Sequence, residues 1–441
     1  MNKHILNWLN IILKDRFSND LILNKLDNKL IIKVKGFEGS IIFDKLQKNF
    51  LQFNSNFGCV KWNPSDEGYS SILNRPIAAP TSTKFKLPII EKNKDNYLIH
   101  YDILGLTYWS LNRLEEVNST NLDKYKRFDL TYSHAYLYKY LDEPIVDCWF
   151  NILSQVIKRL WPKISLKKKN FQTTISHDVD RPYLKYGGKN LHVYLRNIAS
   201  DIINKNLNGY DKLLLTHLPG NKKNSFSDPY DTFEWIMDEI EKHNLNSTFN
   251  FIFGGSHLKD SYYSVENKNI KKLISSIVSR KNNIGAHLSF RCFDQEKLIN
   301  QELDNFKVYL NLNNFHQEKI ITRMHYLRWS TPKTLVYLNN SGVDIDNTLG
   351  YSENPGFRCG TCHPYTGYDP VNHKILKITV SPLILMDITL TSNKNLNFED
   401  AYNVAIDLKN KCKKVDGEFT LLWHNSNLVD ENRKNLFRSL L

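Results

Sequence analysis

Hydrophobic and polar positions divide the 441-residue chain into two stretches of different rhythm. From residue 171 onward, short runs of β-branched and aromatic residues alternate with amphipathic stretches of helical period. The runs at 171–178, 246–253, 284–289, 319–325, 343–346, 375–380, 383–388 and 419–424 predict strands. The stretches at 191–203, 230–243, 269–279, 296–310, 331–342 and 398–412 predict helices, and a tail helix ends the chain. This alternation predicts a parallel α/β domain, barrel-like, with chemistry at the carboxyl ends of its strands.

The first 165 residues lack that alternation. Apolar runs at 30–35 and 40–44 flank Gly36-Phe37-Glu38-Gly39 and predict a hairpin. Asn63 to Gly68 reads as a loop. Residues 101–116 predict a helix with an aromatic stripe, the mark of a core face. Pro144 opens a second helix, with Ile145, Cys148, Trp149, Ile152, Leu153, Val156, Ile157 and Leu160 at helical spacing. Lys167-Lys168-Lys169 marks a solvated boundary. The expected organisation is a smaller N-terminal α+β domain, 1–165, and an α/β barrel domain, 170–441.

The first 17 residues form an amphipathic pattern without a small-residue cleavage site, so they read as a helix packed on its own domain and not as a signal peptide. No apolar run reaches membrane-spanning length, and the expected location is the cytoplasm. A 41% hydrophobic, 24% charged composition is that of a globular chain with a real core. The net charge of +13 raises a nucleic-acid partner, but lysines scattered among asparagine and isoleucine, with no arginine-rich arm or zinc-finger spacing, argue against one. Six cysteines are too sparse for a disulfide framework.

The candidate chemistry lies at strand ends. Ser176-His177-Asp178-Val179-Asp180 places Asp178 and Asp180 two apart, on one side of an extended chain. His287 and Ser289, then Arg323 and His325, repeat the spacing, and His424 ends the last run. Aspartate and histidine ligands with an open position make a catalytic metal site, and a spare carboxylate and imidazole supply base and acid.

These motifs, in this order, resemble the polysaccharide deacetylase family, the NodB-homology or carbohydrate esterase family 4 group. His287-Leu288-Ser289 stands for the family's histidine motif, Arg323-Met324-His325-Tyr326 for its Arg-x-Pro-Tyr motif, and Leu421-Leu422-Trp423-His424 for its last motif. The run Thr248-Phe249-Asn250-Phe251 is similar to its Ala-Thr-Phe-Phe strand. The likeness extends to a branch associated with bacterial surface-polysaccharide biosynthesis, through His177-Asp178-Val179-Asp180, through Arg323 to Arg328, through Gly356-Phe357-Arg358-Cys359-Gly360-Thr361, and through Tyr108 to Glu116.

The resemblance implies a NodB-like distorted (β/α) barrel that removes an N-acetyl or similar acyl group from an amino sugar or glycan, nucleotide- or lipid-linked or free. It implies a divalent metal, zinc first, with iron, cobalt or manganese as alternatives. Carried over by order, Asp178 is the base and Asp180 a metal ligand, though the two are exchangeable or Asp178 could do both. His287 is a second ligand. Arg291 stands where the family has its other histidine, so a third ligand has to come from elsewhere if the triad is kept; His325, on a neighbouring strand end, is the expected one, with His177 next. His424 is the acid, and Arg323 orients the base with Asp387 as its partner. Ser289, Tyr326, Arg328, Arg358 and Trp423 are the expected substrate contacts. A catalytically decayed carbohydrate-binding protein is the alternative. Cys359-Gly360-Thr361-Cys362-His363 also fits haem attachment, a structural zinc or a redox pair. It falls within a loop that the resemblance already covers.

Overall fold

The computed structural model describes residues 1–82, 86–183, 228–255, 257–261, 263–393 and 396–441. The helix expected at 191–203 lies outside the described residues. The chain opens on the helix Lys3–Arg16, whose Asn2 side chain accepts from the Ile5 amide at 3.0 Å. Strands β1 (Leu21–Leu26), β2 (Lys29–Val34), β3 (Ser40–Phe43), β4 (Gly58–Trp62), β5 (Ile77–Thr81), β6 (Ile90–Asn93) and β7 (Asn96–Ile99) follow. Five of them form a sheet in the order β1-β2-β3-β7-β6, and β4 pairs with β5. The expected hairpin is the antiparallel pair β2–β3, with Leu30 opposite Phe43.

Two expectations change here. The 101–116 helix spans only Ile103–Leu111, because Arg113 takes a left-handed φ of 50° and turns the chain. The first helix packs beyond its own portion of the chain. Its buried face holds Ile5, Trp8, Leu9, Ile12 and Leu13. Trp8 donates to the Thr366 carbonyl at 2.8 Å and lies against Tyr368. Among the described residues no helix is long and apolar enough to cross a membrane.

The second sheet is mixed α/β in setting and curled. Its strands are β8 (Gln172–Asp178), β9 (Ser247–Phe251), β10 (Asn283–Leu288), β11 (Ile321–Met324), β12 (Ile345–Asp346), β13 (Tyr365–Asp369), β14 (Lys374–Val380), β15 (Leu385–Met386) and β16 (Glu418–Leu422). The order is β13-β14-β12-β11-β10-β9-β8-β16-β15, and all neighbours are parallel except β13–β14. One run of chain curls it. Thr379 and Val380, at the end of β14, lie beside β12, then Ser381 and Leu383 donate to Asp346 and Leu349 carbonyls. The Ile384 amide reaches Thr420, and β15 pairs with β16. The strand expected at 383–388 is thereby reduced to Leu385–Met386 by its crossing.

The two portions meet through buried charge. Arg358 donates from Nε and Nη2 to the two Glu116 oxygens at 3.0 and 2.9 Å, and from Nη1 to the Gly350 carbonyl at 2.9 Å. Arg113 binds Glu116 through Nε at 2.8 Å and also donates to the Arg358 carbonyl. All three side chains are buried. Asp147, on the buried helix Ile145–Leu160, makes a second knot: it pairs with Arg16 at 2.8 Å and accepts from Thr361 Oγ and the Cys362 amide. These contacts give Arg358 and the Cys359-to-His363 loop structural work.

Burial opposes the charge on Glu116, but Arg358 and Arg113 outweigh it and hold the carboxyl down to about 2. Its ordinary value is 4.5, so its contribution to stability is complete above that pH and is lost as pH falls towards 2. Glu116→Gln takes the carboxylate from the buried Arg358 guanidinium, while Arg113 keeps Glu115 at 2.5 Å, and is expected to cost about 3–5 kcal/mol in urea unfolding at pH 7. A loss under about 1 kcal/mol would show that the cluster contributes little.

Candidate metal centre

Parallel pairing brings the carboxyl ends of β8, β10, β11 and β16 to one rim. In register, Asp178 lies beside Asn250, and His287 beside Arg323. Side chains alternate along a strand, so Asp178 and Asp180 share a face while His177 turns away. His177 is fully buried, bonded through Nδ1 to the Trp423 carbonyl at 2.8 Å and stacked on Phe249. Its ring packs on Phe249 away from the converging atoms of Asp180, His287 and His325, so it is removed as a ligand candidate. His325 is the one that arrives.

His287 Nε2 stands 3.2 Å from Asp180 Oδ1, and His325 Nε2 stands 3.5 Å from the same atom. That oxygen is buried and has no hydrogen-bond partner. The Asp180 side chain as a whole is 28% exposed, so the group faces the outside. The ligand atoms of Asp180, His287 and His325 all lie within 4.8 Å of one another.

The far side of each ring sets its chemistry. His287 Nδ1 meets the Arg323 carbonyl at 3.0 Å, which can only accept, so Nδ1 carries a proton. His325 Nδ1 meets Asp260 Oδ1 at 3.0 Å, and His424 Nδ1 meets Asp387 Oδ1 at 2.8 Å. With Nδ1 as donor, His287 and His325 can each offer an Nε2 lone pair to a cation shared with Asp180 once Nε2 has given up its proton. Two imidazole nitrogens and a carboxylate oxygen fit a divalent transition metal, and the orphaned Asp180 oxygen lacks only such a partner.

Electrostatics agree. Burial alone would raise Asp180, but His325 and His287 hold its carboxyl well below the usual range. Burial likewise opposes the charge of Asp178, and His287, Arg323 and His424 outweigh it, so the carboxyl lies low. For His325, burial is outweighed by Asp180 and Asp260, and its value rises to about 9. For His424, burial is outweighed by Asp387, and the value again rises to about 9.

Asp178 is buried and accepts from Asn250 Nδ2 at 2.8 Å through Oδ1. Its Oδ2 stands 3.6 Å from His287 Nε2. Gly285 makes room for that arrangement, since a Cβ there would fall 2.0 Å from Asn250 Oδ1. Arg323, also buried, lies 3.8 Å from Asp178 and donates to Ser176 Oγ at 2.7 Å.

Several expected roles are corrected. Asp387 holds His424, not Arg323. It accepts from the His424 amide and ring and from Asn427, and no bond joins it to Arg323. Arg358 is spent on Glu116. Trp423 faces away from the rim against Phe437, because it sits one residue out of phase with His424. The Ser289 hydroxyl is taken by Glu302, which also accepts from its amide. Arg328 donates to the Tyr125 and Phe290 carbonyls and lies over the Phe290 and Phe293 rings. Of the expected substrate contacts, Tyr326 stays at the site, its ring 4.7 Å from that of His325.

Sequence reading missed Asp260 and Asn250. A signal existed for Asn250, a polar residue inside an otherwise apolar strand. Asp260 lies in the irregular chain after Gly254-Gly255, where no period marks it.

Residues 15–162 match a family described only as "Family of unknown function (DUF7033)". No curated protein matches the chain. Among solved structures it is similar to a "putative polysaccharide deacetylase from Mycobacterium smegmatis", at 14% identity and a TM-score of 0.41, over 63% of this chain and 85% of that one. It is also similar to Puue allantoinase, at 11% identity and a TM-score of 0.38, over 64% and 84%. The reading of the site rests on its own geometry.

Asp260 fixes the His325 ring, so Asp260→Ala is expected to weaken Zn(II) binding about 10- to 100-fold, read by competition with a chromogenic chelator. Unchanged affinity would remove Asp260 from the centre. Because His325 carries a proton below about 9, Zn(II) affinity is expected to climb about tenfold per pH unit from 6 to 8.

Proposed function

We propose that the chain is a metal-dependent hydrolase that removes an N-acetyl or similar acyl group from an amino sugar, in the manner of a polysaccharide deacetylase. The observation that carries this is the buried, unpartnered Asp180 oxygen faced by two imidazole nitrogens. Asp180, His287 and His325 would hold a divalent cation, zinc by preference, with iron, cobalt or manganese as alternatives. When bound, it supplies Lewis-acid polarisation of an acyl carbonyl.

The protein's own groups supply the proton steps. Asp178 is ionised and steadied by Asn250 and Arg323, which suits it to take the proton of an attacking water. His424 stands on the other side of Asp180, with Nε2 at 3.7 Å from its second oxygen. Asp387 keeps its ring oriented and protonated, so Nε2 can give a proton to a departing amine. Base and acid are thus separate groups, with His424 at one oxygen of Asp180 and the two ligand histidines at the other. An amide needs both, because a free amine anion is too poor a leaving group.

The test is metal content together with turnover on acetylated amino sugars. Wild type should hold one equivalent of metal and release acetate, and His325→Ala should lose both. Asp178→Asn should keep the metal and lose turnover by about 10²–10⁴-fold, as should His424→Ala. Metal loss in Asp178→Asn would make that residue a ligand. A metal-loaded wild type that releases no acyl group from any acylated sugar would overturn the enzyme in favour of a carbohydrate-binding protein.

A further inference from the structure

Residues 121–129 leave the N-terminal portion and reach the rim of the metal centre. The arm is prebuilt: Leu122 bridges Phe128, and Asp123 Oδ1 accepts from the Tyr125 and Arg127 amides at 2.8 and 2.9 Å. Its tip is laced to the far portion. Arg328 Nε donates to the Tyr125 carbonyl at 2.7 Å, and Arg127 Nη1 donates to the Tyr326 carbonyl at 3.0 Å. Tyr326 and Leu327 have φ of 60° and 52°, a left-handed conformation that branched and bulky residues avoid. The arm therefore holds a strained aromatic residue beside His325.

The rings so placed form a cup. Tyr125 and Tyr326 lie 5.2 Å apart at 50°, Phe290 and Tyr326 5.4 Å at 88°, and Tyr125 and Phe290 6.5 Å at 84°. All three are half-buried. The Lys259 ammonium faces all of them, at 4.7, 5.2 and 5.7 Å from Tyr125, Tyr326 and Phe290. Lys124 lies over Tyr125 at 5.1 Å. Among the described residues neither lysine pairs with a carboxylate. The nearby Arg127 is instead spent on Asp123 and Glu353. Residue 260, next to Lys259, is the aspartate that orients His325.

We propose that this cup is the recognition subsite of the hydrolase, that the N-terminal portion completes it through Tyr125, and that it selects an acylated amino sugar bearing an anionic group, phosphate or carboxylate. The inference rests on the deacylase reading and names its substrate class. Phe290 is already stacked on His257 at 4.6 Å and covered by Arg328, so it backs the cup, and the Tyr125 and Tyr326 rings are the walls that suit the apolar face of a sugar ring. Two ammonium groups held against them without a counter-ion suit an anion on that sugar. A neutral glycan would leave the ammonium of Lys259 without a partner.

The test is calorimetry on the full-length, Zn(II)-loaded protein at low salt with three probes: triacetylchitotriose, UDP-N-acetylglucosamine and N-acetylmuramic acid. At least one anionic probe should bind about tenfold tighter than the neutral one. A gain for the nucleotide sugar alone identifies phosphate, and a gain for the muramic acid alone identifies carboxylate. Lys259→Gln should erase the preference, and Tyr125→Leu should weaken the favoured probe about tenfold, while both variants keep wild-type Zn(II) content and melting temperature. Equal binding of all three probes, or a preference that survives in Lys259→Gln, would overturn the proposal. Acetate release from the neutral probe without any anionic preference would sink the subsite and leave the deacylase standing. A preference without acetate release from any probe would do the reverse.

Discussion

Two imidazoles that turn their Nε2 atoms to one buried carboxylate oxygen make a demand on everything around them. The oxygen of Asp180 has no donor of its own, and a buried acceptor left that way is costly unless a cation completes it. Each ring must also keep its lone pair inward. The Arg323 carbonyl does this for His287 and Asp260 does it for His325. Neither support is a ligand, yet without them the rings would rotate or change tautomer, and the three donor atoms would no longer converge.

The rim that carries these groups depends in turn on strand parity and on one crossing. Period-two alternation points Asp178, Asp180 and His424 inward and sends His177 and Trp423 out. The run from β14 to β15 carries chain from one side of the sheet to the other, which curls the rim and lets Asp387 reach His424. The same out-of-phase logic explains why Trp423, adjacent to His424, packs on Phe437 instead of lining the site.

The remaining motifs serve cohesion between the two portions. Arg113 and Glu116 lock onto Arg358, and Asp147 gathers Arg16, Thr361 and the Cys362 amide. Asp147, Cys362 and His363 lie close enough together to hold an ion, but the carboxylate already has its cation in Arg16, and His363 Nε2 is bonded to the Val415 carbonyl at 3.0 Å. A buried ion pair gives this seam its specificity, because either partner alone would be stranded. The 121–129 arm adds a further tie between the portions, since Arg127 donates to the carbonyl of Tyr326, whose ring lies beside His325.

Local pattern was enough for much of this. Alternating strand and helix periods announce the parallel sheet, and the two-residue spacing of Asp178 with Asp180 announces a shared face, because both follow from backbone geometry over a few residues. The turning away of His177 from Asp180 also obeys that parity, whereas His325 stands just past the end of β11, in a turn. What tertiary structure alone decided are the partnerships across long separations: Asp260 with His325, Asp387 with His424 and not Arg323, Arg358 with Glu116, and Tyr125 with Tyr326. None has a period or a spacing in the chain. Each is set by which loops the curled sheet brings to one rim, and by the need of every buried charge to find a partner there.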